Sequence, residues 1–94
     1  MVTIGMNYQM IPGKEKVFED AFASVLKVMG EMEGHSKSAL YRDVNDPQSY
    51  LIVSEWSSEQ AFNDFIQSDQ FKNVANWGKQ NILAGRPSHT VYRH

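Results

Sequence analysis

A chain of 94 residues, 41% hydrophobic and 21% charged, has ordinary globular composition and enough length for one hydrophobic core but not two. Nine Lys and Arg against 11 Asp and Glu leave a formal net charge of −2 with no basic run, so a nucleic-acid partner, which would need cations to neutralise phosphates, is not expected. Without cysteine there is no disulfide framework, thiolate metal site or thiol nucleophile, and the expectation is one unstapled cytoplasmic domain over residues 1–94.

The apolar stretches are interrupted by charge well short of the ~18 residues a spanning helix needs, so no membrane partner is expected. The opening Met1-Val2-Thr3-Ile4-Gly5-Met6-Asn7 lacks the basic start and long apolar run of a signal peptide.

Residues 2–11 alternate, with Val2, Ile4, Met6, Tyr8 and Met10 on one parity and Thr3, Gly5, Asn7 and Gln9 on the other. This is the period of a half-buried strand, ended by Pro12-Gly13. From Lys14 to Glu33, apolar residues at spacings of three and four predict an amphipathic helix, stopped by Gly34. Strands are predicted from His35 to Val44 and from Tyr50 to Trp56, joined through the turn chemistry of Asn45-Asp46-Pro47-Gln48.

Ser57 is the expected cap of the next helix, with Gln60 reaching back to it. Ser68-Asp69 restarts capping chemistry, so that helical region should break near residue 68. Residues 88–93 read as a last strand. The order βαββαβ is that of a ferredoxin-like α+β fold, an antiparallel four-stranded sheet with its helices on one face. The other sheet face needs a cover, and a homodimer packing sheet to sheet supplies one.

The run Trp56-Ser57-Ser58-Glu59-Gln60-Ala61-Phe62-Asn63-Asp64-Phe65, followed by Ser68-Asp69-Gln70-Phe71, resembles the W-x-S-x-x-A-F…S-x-x-F signature of the antibiotic biosynthesis monooxygenase (ABM) superfamily. Met32-Glu33-Gly34-His35 and Tyr41-Arg42-Asp43-Val44-Asn45-Asp46-Pro47 are similar to that family's passage from first helix to hairpin. The resemblance covers nearly the whole chain. It implies a dimeric α+β barrel and a monooxygenase acting on a small hydrophobic molecule, aromatic or quinol-like.

Against the haem-degrading branch of that family the match is partial. Asn7 corresponds to its first-strand Asn once the following turn is shifted by one residue. Phe65 stands where that branch has a helix Trp, and Ala75 where its haem-ligating His falls. An alanine cannot coordinate iron, so haem is disfavoured. His35, His89 and His94 lack metal-ligand spacing, and no metal site is expected.

A cofactor-independent oxygenase needs apolar walls and a group that takes or stabilises the substrate's proton. The expected catalytic residues are Asn7, an amide donor to a phenolate oxygen, and His89, a base near neutral pH. Phe65, Trp77 and Tyr41 are expected to wall a planar ring. Asn73 shares a helix face with Trp77, and Arg86 suits an anionic substrate group. A non-catalytic ligand-binding or stress-response barrel is the alternative, with His89 and Asn7 satisfied by protein partners; a haem-binding relative is another.

Overall fold

A computed structural model of the chain describes residues 1–85 and 87–93. The elements run β1 (Val2–Gln9), α1 (Glu15–Glu31), β2 (His35–Arg42), β3 (Ser49–Trp56), α2 (Glu59–Ile66), α3 (Asp69–Asn81) and β4 (Ser88–Arg93). The strands form one sheet in the order β2-β3-β1-β4, with every pairing antiparallel. This is the ferredoxin-like α+β arrangement expected from the element order.

Strand alternation decides which residues meet the helices. Val2, Ile4, Met6 and Met10 of the first segment are buried with Tyr50, Ile52 and Trp56 of β3, against Phe18 and Met29 of α1 and Phe62 and Phe65 of α2. Thr3, Gly5, Asn7 and Gln9 project from the opposite, open face, beside Leu51 and Val53. Gly5 is covered there by its neighbours' side chains, Leu51 and Tyr92, whose carbons lie 3.6 and 3.8 Å from the place a Cβ would occupy.

Three of the departures from the sequence-predicted boundaries have a local cause. β1 ends at Gln9, and Met10 instead makes a lone bridge to Leu83, a pairing reinforced by Ala84 N–H donating to Gln9 O at 2.8 Å. β2 stops at Arg42, because the Asp43 and Asp46 carboxylates accept from Asn45 and Gln48 N–H and fold the chain into its turn. The α2 cap is Ser58, not Ser57. Ser57 N–H donates to Gly34 O at 2.7 Å, which ties Ser57 to the end of α1's connection. Ser58 Oγ then accepts from Ala61 N–H at 3.2 Å, while Gln60 pairs with Asp64 at 2.8 Å.

Candidate functional site

Between the inner sheet face and the helices lies a cavity of about 630 Å³. Met6, Tyr8 and Ile52 form its floor, Phe18, Phe22 and Val25 one wall, and Phe62, Ile66, Phe71, Val74 and Trp77 another. His89 enters from β4 because it stands opposite Met6 in the ladder, and cross-strand partners share a face. The site is therefore a product of the apolar β1 row and of the break at Gln67–Ser68, after which α3 supplies Phe71, Val74 and Trp77 to the wall.

Two ring-bearing polar side chains face this apolar space. The His89 ring packs 5.6 Å from the Phe62 ring and has no hydrogen-bond partner among the described residues. The Tyr8 hydroxyl donates to Met6 Sδ at 4.0 Å, a weak acceptor. Burial pushes the Tyr8 phenol up to about 12, so it holds its proton throughout the neutral range. Exposed Lys79 also borders the cavity.

The sequence-predicted residues are only partly brought together. His89 and Trp77 line the cavity, with Trp77 still 40% exposed. Phe65 is buried in the core beneath it, 5.4 Å from the Trp56 ring and 4.9 Å from Phe71. Asn73 is exposed on α3 and Tyr41 is exposed on β2, where it borders a separate shallow depression with Glu19, Arg42 and Tyr50. Arg86 lies outside the described residues.

Asn7 is exposed on the open face, opposite Leu51 and Ser88, and does not line the cavity. The cause is parity: the apolar even row took the helices, and Asn7 belongs to the odd row. Met6 fills the inward position beside it. His35 does not reach the cavity either; its Nε2 lies 2.8 Å from Ser38 Oγ and its ring meets Trp56 edge-on at 5.1 Å. Tyr8 was the residue missed. Its signal was a hydroxyl in an otherwise apolar row.

The sequence matches the family described as antibiotic biosynthesis monooxygenase over residues 1–77. The chain belongs to that family. Among curated proteins, this ABM chain is 33% identical over 87 residues to a candidate heme-binding protein of Haloarcula marismortui, covering 93% of the chain and 13% of that protein. A candidate heme-binding protein of Halobacterium salinarum matches at 33% identity, again over 93% of the chain but 18% of its own length. The ABM chain thus spans less than a fifth of these curated relatives.

Among solved structures, SnoaB, a cofactor-independent oxygenase from Streptomyces nogalater, superposes with a TM-score of 0.85 at 19% identity, over 99% of this chain and 91% of SnoaB. A conserved protein from Methanosarcina mazei Go1 superposes at 0.89 with 22% identity, over 98% and 90% of the two chains. At these identities the likeness is one of fold. Among the described residues no helix is long and apolar enough to cross a membrane, and no group of three or more His, Asp or Glu side chains is placed to hold a metal ion.

Proposed function

We propose that this ABM domain is a small oxygenase that reacts an aromatic or quinol-like molecule with dioxygen in the cavity, without a bound cofactor, and that it works as a homodimer paired through the open sheet face. The observation that carries the reading is an apolar cavity of about 630 Å³ with an imidazole, His89, unpartnered on its wall among the described residues. That volume suits a fused-ring molecule. The fold shared with SnoaB, described as a cofactor-independent oxygenase, adds support.

In this reading His89, exposed at the cavity's edge, removes a proton from an activated ring methylene, and the apolar walls flank the resulting carbanion. The carbanion gives one electron to dioxygen, and the radical pair recombines to a hydroperoxide. Loss of water leaves a carbonyl. For an anthrone, the panel member with a ring methylene, the balance is one methylene and one dioxygen in, one ring carbonyl and one water out. The substrate supplies every electron, so no external reductant enters. Trp77 and Phe62 hold the ring plane beside His89.

The test is oxygen uptake by metal-stripped protein against hydroquinones, naphthols and anthrones. Turnover should fall at least about a hundredfold in His89→Ala, the scale of lost general-base catalysis, and persist in Asn7→Ala. Turnover lost in Asn7→Ala and kept in His89→Ala would move the site to the open face; no uptake above background would remove the oxygenase.

Haem binding is the second reading, favoured by that same cavity imidazole together with the names of the curated relatives. The residues fit a haem held through one protein ligand: His89 is available on the wall, while Ala75, also lining the cavity, offers none. A bound haem would supply iron redox chemistry, and His89 and the aromatic walls would hold it. A hemin Soret shift that is lost in His89→Ala would put this reading in place of the first.

A further inference from the structure

Proton abstraction at His89 leaves the Tyr8 hydroxyl in the cavity without a task. Tyr8 sits on the inward row of β1, and its ring belongs to a row of tilted rings: 5.3 Å to Phe18, then 4.9 Å from Phe18 to Tyr50. Tyr50 is fixed at the far end, its hydroxyl donating to Glu19 Oε2 at 2.6 Å. The two tyrosines thus share a row of rings but not a fate. Tyr50 has a carboxylate partner, whereas Tyr8 has a thioether at the limit of hydrogen-bond distance.

We propose that Tyr8 is the positioning donor of this cavity, offering its O–H to an oxygen on a planar apolar ligand, so that the site selects ring ketones and their enolates over ring hydrocarbons of the same shape. The inference rests on the cavity being the binding site, as in the function proposed above, and adds the chemical class that the site discriminates. Tyr8 is half-buried and its hydroxyl has only a thioether acceptor, which a ligand carbonyl replaces with a better one. Because burial pushes the phenol up to about 12, Tyr8 acts as a neutral donor and leaves the proton abstraction to His89. Oxygen held at Tyr8 sets the ring's orientation, and with it which ring carbon meets the imidazole.

The experiment is calorimetric titration of the wild-type protein and Tyr8→Phe with 1-tetralone and tetralin, which differ by the carbonyl. Wild type should bind tetralone several-fold to about tenfold more tightly, the scale of one buried neutral hydrogen bond. In Tyr8→Phe the two affinities should converge while that for tetralin is unchanged, an outcome that a merely structural role for Tyr8 would not give.

Equal affinities in wild type, a ketone preference surviving in Tyr8→Phe, or failure of both ligands to bind wild type would each overturn the proposal. The wild-type comparison decides even if the variant fails to fold. No oxygen is consumed in these titrations. A ketone preference without oxygen uptake therefore removes the oxygenase and keeps Tyr8's role, and uptake without a preference does the reverse.

Discussion

Gly34 joins α1 to β2 with a φ of 92°, and a Cβ added there would lie 2.6 Å from Ala61 Cβ and 2.7 Å from Ser57 Oγ. Backbone conformation and space both demand glycine, because the connection is pressed against the start of α2. Gly13 has nearly the same φ, 91°, but nothing within 4 Å of the added carbon. The pair separates the two costs. Gly13→Ala should lose only the left-handed penalty, about 1–2 kcal/mol, and Gly34→Ala should lose about 2–4 kcal/mol, since overpacking is added. Urea unfolding of the two variants measures the gap; equal losses would mean that the α1–β2 connection shifts away from α2 without cost.

Short helices depend on their ends, and α2 has eight residues. Ser58 caps it through Ala61 N–H. Ser68 does more: it accepts from Phe71 N–H at 3.2 Å and donates to Phe65 O at 2.6 Å, so one hydroxyl closes α2 and opens α3. Ser58→Ala should cost about 1 kcal/mol and Ser68→Ala nearer ~2 kcal/mol, read as a lower urea midpoint at constant m-value. The reverse ranking would show that the junction between the helices is held by packing of Phe65 on Phe71 instead.

Elements of this kind were legible because serine, glycine and apolar spacing act locally, and the apolar row of β1 and the break near residue 68 could both be read directly. The site was less legible. Asn7 was matched to the family's first-strand Asn, but which face it takes depends on strand parity, and the apolar residues of the even row claim the helix side. Phe65 and Trp77 are both aromatic residues at helical spacing, yet one fills the core and the other borders the cavity; what separates them is how the helices pack on the sheet, which no single residue encodes. Tyr8 carries a hydroxyl in an otherwise apolar row, but that its acceptor is only the Met6 thioether is a three-dimensional fact.

At the scale of the whole molecule, the helices cover one face of the sheet and leave the other bare. Leu51 and Val53 on β3 and the exposed rings of Tyr41 and Tyr92 lie on that bare side, with a Lys37–Glu55 ion pair at 3.2 Å toward its β2 edge. Apolar side chains flanked by charge in this way suit the self-complementary contact of two-fold pairing. Sedimentation of the wild-type protein should therefore give twice 10.7 kDa, and Val53→Glu, which places like charges against each other across a two-fold axis, should give the monomer. The cavity is lined from the helix-covered face of the sheet and not from the bare one, so the monomeric variant should keep the wild-type affinity for tetralone within about threefold. A monomer that has lost that affinity would show that pairing shapes the cavity through the sheet, and a wild-type protein already monomeric would leave the bare face to another partner.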